Sequence, residues 1–120
     1  MSTKKMMILS RRKPGLSMEE FRNYYDNEHV KVTNYFAGIS RHIRRYVTEG
    51  WGARATPPLD FDVITEVWIN DADAFDRSCA EMGEDIQKII TADEQKIFDS
   101  ESIRIFFVDE TYTDLPVKLS

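Results

Sequence analysis

The sequence predicts a single α+β domain whose strands and helices follow the order β-α-β-β-α-β. Three observations support this prediction: short apolar runs bounded by turn residues, one long apolar stripe with helical spacing, and a run rich in β-branched residues. The chain has 120 residues, a length that suits one domain with a core of its own. Hydrophobic residues make up 42% and aromatic residues 12% of the chain, which is typical of a folded globular protein.

The domain is predicted to begin with a strand and a long helix. The segment 5–11 (KMMILSR) is an apolar run that ends just before a Pro-Gly pair, as a strand ends before a turn. Ser17 and Glu20 then form a capping-box pattern, which starts a helix. The helix continues to Phe36, before Gly38, along a stripe of residues spaced three or four apart. The stripe consists of Met18, Phe21, Tyr25, His29, Val32 and Phe36.

Two strands and a helical region are predicted to follow. Residues 39–47 have the spacing of a strand, with Ile39, Ile43 and Val47 on one face and a partly polar opposite face. An irregular loop with two glycines and two prolines follows at 48–59. The run 61–69 (FDVITEVWI) is the strongest predicted strand. The remaining predicted elements are a helix capped by Asn70 or Asp71 that runs through Met82, a helix at 84–91, a helical turn at 93–98, a last strand at 102–108, and a tail or partner-binding arm at 111–120.

This element order is that of the ferredoxin-like split βαβ motif, one antiparallel sheet with helices on one face only. The other face of the sheet is then bare, and we expect it to carry Val63, Val67 and Ile69 among others. Because a bare apolar face of that size usually has a partner, the sequence predicts a homodimer with two sheets face to face.

Composition excludes several classes of partner. The net charge of -5 argues against general nucleic-acid binding, which needs a basic surface. A single cysteine, Cys79, excludes an intramolecular disulfide framework and a thiolate zinc site, and the two histidines have no known metal-ligand spacing. No apolar run approaches the roughly 20 residues of a membrane span, and the N-terminal lysines are not followed by the apolar h-region of a signal peptide. We therefore expect a cytoplasmic domain that uses no membrane, metal or cofactor.

His29 is the strongest catalytic candidate, because it interrupts an otherwise apolar stripe and a neutral imidazole can act as acid or base near pH 7. The alternative interpretation is a core histidine bonded to a carbonyl or carboxylate group. Asp62 and Glu66 share a strand face with Trp68. If that face looks toward the helices, either carboxylate could orient His29 or donate a proton. If it does not, Asp62 is solvated and pairs with an arginine.

Aromatic residues supply the other candidates. The phenol of Tyr46 could hydrogen-bond a substrate carbonyl or enolate, although most tyrosines pack with the hydroxyl reaching solvent. A flat aromatic substrate pocket could be lined by Phe21, Tyr25, Trp68 and Phe107, and the alternative for each is ordinary core packing. His42, flanked by arginines, is interpreted as a surface or rim residue.

Four segments resemble the EthD domain family, in the family's order over roughly residues 5–110. They are the opening Arg11-Arg-Lys-Pro-Gly-Leu-Ser17 with Glu20-Phe21, Tyr25 and His29, then Arg45-Tyr46-Val47, then Asp62 with Glu66-Val-Trp68, and finally Asp93-Glu94 with Phe98-Asp99. The resemblance implies a dimeric α/β barrel of ferredoxin-like protomers, each with a pocket between helices and sheet. Within that pattern, Asp93 and Glu94 could equally serve as helix-capping or interface residues.

The family includes dehydratase-type enzymes acting on aromatic polyketides, although the resemblance determines the fold far better than the reaction. With His29 in the apolar stripe, opposite a strand face that carries carboxylates, our leading hypothesis is a cofactor-independent lyase of the dehydratase type, acting on a hydroxylated carbonyl or aromatic polyketide-like compound. In this hypothesis His29 removes a proton α to the carbonyl, Tyr46 stabilises the enolate, and Asp62 or Glu66 orients His29 or protonates the leaving hydroxyl. Two alternatives stay open, because one fold supports many functions. They are a cofactor-free monooxygenase acting on a phenol, and a non-catalytic ligand-binding dimer of a pathway.

Overall fold

The computed structural model describes residues 2–120 and contains one four-stranded sheet with helices on one of its faces. The strands are β1 (Lys4–Arg12), β2 (Ile39–Tyr46), β3 (Val63–Ile69) and β4 (Phe98–Val108). The helical segments are α1 (Met18–Asn27), a 3-10 helix (His29–Tyr35), α2 (Ala72–Ala80) and α3 (Glu84–Ile97).

The sheet has the strand order β2-β3-β1-β4, and all three neighbouring pairs are antiparallel. This order and the one-sided placement of the helices confirm the predicted ferredoxin-like α+β fold. The centre of the core lies where α1 and the C-terminal end of α3 meet the sheet. The buried members of this cluster are Phe21, Tyr25, Val63, Ile97 and Phe98.

The predicted long helix is in fact two helical segments. The capping box at Ser17 and Glu20 is present, with both reciprocal hydrogen bonds formed. The α-helical geometry then ends at Glu28, whose φ of -116° lies outside the helical range. A tighter 3-10 helix follows from His29. The stripe residues keep facing inward across this break, and His29 is 8% exposed.

The second helical region also differs in detail from the prediction. Asp71 caps α2 with its side chain, as predicted. The helix and helical turn predicted at 84–91 and 93–98 are one continuous helix, α3, and β4 begins directly after it at Phe98. Asp93 and Glu94 therefore lie within the helix, where their side chains face other elements and cannot serve as N-terminal caps.

The prediction for the bare face of the sheet is wrong. Val63, Val67 and Ile69 are 0%, 4% and 1% exposed, because they lie under the helices. Since strand side chains alternate between faces, Glu66 and Trp68 lie on the open face instead. The cause is the packing of Val63 against Phe21 in the core. Because side chains alternate along a strand, the position of Val63 determines which face every other residue of β3 occupies.

An irregularity in β2 brings two residues to the same face of the sheet. The register of β2 against β3 shifts between Ile39 and Arg41. Such a bulge inserts one extra residue and changes the alternation locally. As a result Ile39 and His42 both point toward the helices, although their spacing of three predicts opposite faces.

The segment 48–60 contains no helix or strand and is exposed, as predicted. Residues 111–120 also contain no helix or strand and are exposed, with a bend at Leu115 and Pro116. Within the described part of the chain, no helix combines the length and apolar character needed to cross a membrane.

Candidate functional site

A cavity of about 280 Å³ lies between the helices and the sheet. Its walls are mainly aliphatic and aromatic, and a small number of polar groups face into it, as is usual for small-molecule sites. The polar residues at the cavity are Tyr25, His29, Thr33, His42 and Glu94. The apolar residues are Met6, Ile8, Val32, Phe36, Ile39, Val67, Phe75, Ile90 and Ile105.

His29 reaches the cavity from the first turn of the 3-10 helix and is held from behind by α3. Its Nδ1 atom lies 2.6 Å from Oδ2 of Asp93. The other carboxylate oxygen, Oδ1 of Asp93, accepts a hydrogen bond of 2.5 Å from the hydroxyl of Tyr24. Tyr24, Asp93 and His29 thus form a hydrogen-bonded row that runs from the outer surface of the helices to the cavity.

Asp93 is the charged residue of this hydrogen-bonded row. Burial raises the pKa of Asp93, but the hydrogen bonds from Tyr24 and His29 outweigh burial, so the pKa lies below its usual range. The bond to Asp93 raises the pKa of Tyr24 to about 12. At neutral pH Asp93 is therefore a carboxylate that accepts two hydrogen bonds. It fixes the proton of a neutral His29 on Nδ1 and leaves the lone pair on Nε2.

Glu94 follows Asp93 in sequence but has a different environment. It lies at the cavity, and its carboxyl group makes no hydrogen bond or ion pair with any residue among 2–120. Burial raises the pKa of Glu94 above its usual range, because the charged form is poorly solvated beside apolar walls. Glu94 thus holds its proton more tightly than an exposed glutamate does, as suits a carboxyl group that donates a proton.

His42 approaches the cavity from β2. Its Nδ1 atom lies 3.0 Å from Nη1 of Arg44, whose Nε donates to Oδ1 of Asp26 at 2.8 Å. Burial, helped by the positive charge of Arg44, lowers the pKa of His42 to about 4. The imidazole of His42 is therefore neutral at pH 7.

Tyr25 forms the wall between the two histidines. Its ring centroid lies 5.2 Å from that of His29 and 6.1 Å from that of His42, edge to face in both cases. Its hydroxyl is 2.6 Å from Oγ1 of Thr65 on β3. Burial raises the pKa of Tyr25 to about 12. Tyr25 contributes its ring to the cavity, as predicted for a pocket residue, while Thr65 occupies its hydroxyl.

Three residues predicted at the site lie elsewhere, because β3 turns its other face toward the helices than the prediction required. Asp62 lies just before β3 and accepts a 2.8 Å bond from the backbone N–H of Arg12. Glu66 is on the open face, where its carboxylate accepts a 2.6 Å bond from Nε1 of Trp68 and lies 3.5 Å from Arg45. None of Asp62, Glu66 and Trp68 lines the cavity that holds His29.

The other predicted residues are divided between core and surface. The hydroxyl of Tyr46 donates to Oδ1 of Asp26 at 2.6 Å, outside the cavity, and burial raises the pKa of Tyr46. Phe21 is 0% exposed and belongs to the core beneath the site. Phe107 is 59% exposed on β4, beyond the rim of the cavity. None of these three residues lines the cavity: Phe21 packs beneath it, and Tyr46 and Phe107 lie outside it.

The sequence reasoning assigned no catalytic role to Asp93, Glu94 or His42. A signal for the first two does exist. Glu94 comes four residues after Ile90 and three before Ile97, both of which face inward, so helical spacing puts a carboxyl group on the buried face of α3. His42 had no such signal, because its position depends on the bulge in β2.

No group of three or more metal-ligating side chains occurs among residues 2–120. The polar groups at the cavity are two imidazoles, one carboxyl group and two hydroxyls, a set suited to moving protons and hydrogen-bonding oxygen atoms.

The fold and the cavity define the chain as a ferredoxin-like α+β protein with a small-molecule pocket between helices and sheet. A family model agrees: the model of the EthD domain matches residues 13–101, and the chain belongs to the EthD domain family. The resemblance found in the sequence is thereby confirmed.

Solved structures share the fold at low sequence identity. An ethyl tert-butyl ether D (EthD) family protein of Bacillus halodurans is 18% identical, with a TM-score of 0.61, over 92% of this chain and 100% of that one. A protein of Arabidopsis thaliana is 13% identical, with a TM-score of 0.58, over 93% and 99%. A DABB family protein of Mesorhizobium loti with a ferredoxin-like fold is 13% identical, with a TM-score of 0.53, over 95% and 100%. No curated protein matches the sequence.

Proposed function

We propose that this protein is a cofactor-independent lyase of the dehydratase type, which removes water from a small hydroxylated carbonyl compound. The observation that supports this proposal is the state of His29. Its Nδ1 is bonded to the Asp93 carboxylate at 2.6 Å, its Nε2 has no partner among residues 2–120, and the residue lines a mainly apolar cavity. This is the arrangement of a general base that an acidic partner orients and stabilises when it becomes charged.

The proposed reaction is a β-elimination. Nε2 of His29 takes the proton α to the carbonyl, and the C–H bonding pair becomes part of an enolate. The enolate re-forms the carbonyl as the C–O bond to the β-hydroxyl breaks, and Glu94 gives that hydroxyl its proton, so that water leaves. Protonated His29 and ionised Glu94 then exchange a proton through solvent. Glu94 takes the role that the sequence assigned to Asp62 or Glu66, because it is the carboxyl residue at the cavity and burial raises its pKa.

The size and polarity of the cavity indicate the class of substrate. A cavity of roughly 150 Å³ holds a benzene molecule, so about 280 Å³ is enough for two fused six-membered rings. The aliphatic and aromatic walls favour an apolar ring system, and the polar groups are concentrated near His29, His42 and Glu94. We therefore propose a bicyclic aromatic or polyketide-like ketone as substrate.

A cofactor-free monooxygenase is the second candidate, because the same base could deprotonate a phenol that then reacts with oxygen. That chemistry uses His29 but gives Glu94 no proton to donate. Oxygen consumption with an active substrate separates the two functions, since a dehydratase consumes none. The unpartnered carboxyl group of Glu94 at the cavity favours the dehydratase.

We also propose that the protein acts as a homodimer through the open face of the sheet. This face is uncovered in the single chain and combines apolar with charged side chains, among them the Glu66–Arg45 ion pair. Its apolar members, which share a face by strand register, are Met7, Leu9, Ile43, Ile64, Trp68, Phe106 and Val108, and its charged members are Lys5, Arg41, Arg45, Glu66 and Arg104. Apolar side chains clustered on the uncovered face of a small domain are typical of an interface.

The oligomeric state can be measured with two neighbouring substitutions. Phe106 and Phe107 are adjacent and both exposed, at 41% and 59%, but they point to opposite faces of β4. We expect light scattering to give a dimer for the wild type and for Phe107→Arg, and a monomer for Phe106→Arg. A dimer that survives Phe106→Arg would contradict the proposed interface.

Proton abstraction can be tested without knowing the natural substrate. 2-Tetralone is a two-ring ketone with acidic α protons, and its exchange with D2O is followed by proton NMR. We expect the wild type to accelerate this exchange, and His29→Gln to lose about 10²- to 10⁴-fold of the acceleration, the usual contribution of a general base. Lys31→Gln is the matched control, because Lys31 is an exposed residue of the same 3-10 helix. Equal rates for wild type and His29→Gln would refute the function.

A further inference from the structure

The two histidines at the cavity have their Nδ1 atoms bonded to partners of opposite charge. Nδ1 of His29 faces the carboxylate of Asp93 at 2.6 Å, which can only accept a hydrogen bond. Nδ1 of His42 faces the guanidinium of Arg44 at 3.0 Å, which can only donate one, since arginine stays charged in proteins. The partner therefore determines the tautomer of each neutral ring.

Charge complementarity puts the protons on different nitrogens. When its ring is neutral, His29 carries its proton on Nδ1, facing Asp93, and a lone pair on Nε2. His42 accepts at Nδ1, and its proton is on Nε2. Neither Nε2 atom has a hydrogen-bond partner within residues 2–120, and both residues line the same cavity. Because both rings pack edge to face with Tyr25 and line one cavity, a small molecule in the cavity can reach both.

We propose that His42 is a second catalytic residue, whose Nε2–H donates a hydrogen bond to the carbonyl oxygen of the substrate and to the enolate oxygen that forms from it. This inference rests on the proposed function and deepens it, because it names the oxygen-binding group. The sequence assigned that role to Tyr46, but the hydroxyl of Tyr46 is bonded to Asp26 outside the cavity. The substrate class is then a compound with a hydrogen-bond-accepting oxygen two bonds away from the carbon whose proton His29 removes.

A neutral histidine suits this task better than a charged one. A neutral donor lets the proton stay on His42 while negative charge grows on the oxygen, so the enolate is stabilised without a proton transfer that would compete with His29. Arg44 acts as a positioning residue, since it holds the ring from behind through Nδ1. Asp26 in turn holds Arg44 through Nε at 2.8 Å.

The tautomers can be read directly by NMR of protein labelled with ¹⁵N at histidine. Long-range proton–nitrogen correlation distinguishes a protonated ring nitrogen from one with a lone pair. At pH 7 we expect the neutral ring with the lone pair on Nδ1 for His42. The substitution Arg44→Met removes the donor, and we expect the Nδ1–H tautomer of His42 to appear. Finding His42 with its proton on Nδ1 in the wild type, or doubly protonated, would overturn the inference.

Two substitutions at position 42 distinguish the loss of the hydrogen-bond donor from a change in side-chain packing. The side-chain amide of His42→Gln can donate from a place near that of Nε2–H, whereas His42→Leu has a similar size and no donor. For 2-tetralone exchange we expect His42→Leu to lower kcat by about 10²- to 10³-fold, the usual effect of losing one such donor. We expect His42→Gln to recover activity to within about tenfold of wild type, which a role in packing alone does not predict. Equal losses in both variants would overturn the donor role.

Binding of 2-naphthol gives a readout that does not depend on turnover. This planar phenol mimics the enolate of the two-ring ketone, and naphthalene is its counterpart without the oxygen. We expect the wild type to bind 2-naphthol at least about tenfold tighter than naphthalene, in line with a net hydrogen bond of about 1.4 kcal/mol. His42→Leu should bind the two alike.

The two proposals fail in distinguishable ways. If His29→Gln retains full exchange activity, the proposed function is wrong, whatever His42 does. If exchange requires His29 but the preference for 2-naphthol is the same in wild type and His42→Leu, the base is right and the donor assignment is wrong.

Discussion

Replacing Asp93 by asparagine tests the hydrogen-bonded row behind the cavity. The carboxylate accepts bonds from Tyr24 at 2.5 Å and from His29 at 2.6 Å. A bond to a charged acceptor contributes about 1.5–3 kcal/mol to stability and a neutral one about 0.5–1.5 kcal/mol. The asparagine side chain would keep the shape and one neutral acceptor, so we expect the free energy of unfolding at pH 7 to fall by about 2 kcal/mol. For a chain of this size, Tm would fall by roughly 6–12 °C.

The stability difference between wild type and Asp93→Asn should depend on pH. The pKa of Asp93 is lower in the folded protein than its ordinary value of 3.8, so its stabilising contribution is present above that value and is lost as pH falls through the folded pKa. The difference between wild type and Asp93→Asn should be full near pH 7 and should shrink below about pH 4. Urea unfolding followed by circular dichroism measures both values.

The neighbouring residue supplies a matched control. Glu94 is also partly buried on α3, but it makes no hydrogen bond within the described chain, and burial raises its pKa. Glu94→Gln removes a poorly solvated carboxyl group, so we expect no loss of stability at pH 7 and a small gain. A wild-type stability for Asp93→Asn, or equal losses for both variants, would refute the claim that Asp93 is a bonded carboxylate.

Three further predictions concern the stability of the fold around the site. Tyr25 and Thr65 share a buried hydrogen bond, so Tyr25→Phe and Thr65→Val should each lower the free energy of unfolding by about 1–3 kcal/mol, because each leaves one hydroxyl unpaired. The double variant should lose less than the sum of the two single losses. A double-mutant cycle in urea measures this coupling, and strict additivity would contradict the bond. Gly38 has a φ of +75°, and an added Cβ would clash with the backbone oxygen of Asp71. Gly38→Ala should therefore lower Tm by several degrees, because the alanine backbone would be strained at this φ and its methyl group would clash. An unchanged Tm would contradict the close approach. The Oγ of Ser10 is buried and has no hydrogen-bond partner among residues 2–120. Ser10→Ala should therefore leave Tm unchanged or raise it, since removing an unpaired buried hydroxyl removes its desolvation penalty; a marked loss of stability would show that the hydroxyl is bonded.

The fold was predictable because its signals are local. The capping box at Ser17 and the cap at Asp71 depend on residues three positions apart, and both form as predicted. The strand at 61–69 was predicted from its β-branched residues, and the structure has it at Val63–Ile69. Such short-range preferences fix the element order, and the order in turn selects the topology.

The candidate site was harder to predict because it depends on which face of β3 packs on the helices. Both parities of this strand carry apolar residues, Val63 and Val67 on one face and Ile64 and Trp68 on the other. A period of two cannot decide between them. The choice is made by long-range packing against α1 and α3, and it puts Glu66 on the face opposite to His29.

His29 itself was found because an ionisable group in an apolar stripe is unusual. Its partner was not found, because the predicted break in α3 made Asp93 look like a cap. His42 was hidden by the bulge that changes the alternation of β2. The residues that were missed are thus the ones whose direction depends on an irregularity or on contact between distant segments.

The most direct test of the account is a crystal structure of the protein with 2-tetralone or 2-naphthol bound. We expect the two rings in the cavity beside Tyr25, with the ligand oxygen at hydrogen-bond distance, about 2.7–3.2 Å, from Nε2 of His42. The α carbon of the ketone should face Nε2 of His29. A ligand bound elsewhere, or one in the cavity with its oxygen directed away from both histidines, would contradict the assignment of this cavity as the site of proton transfer.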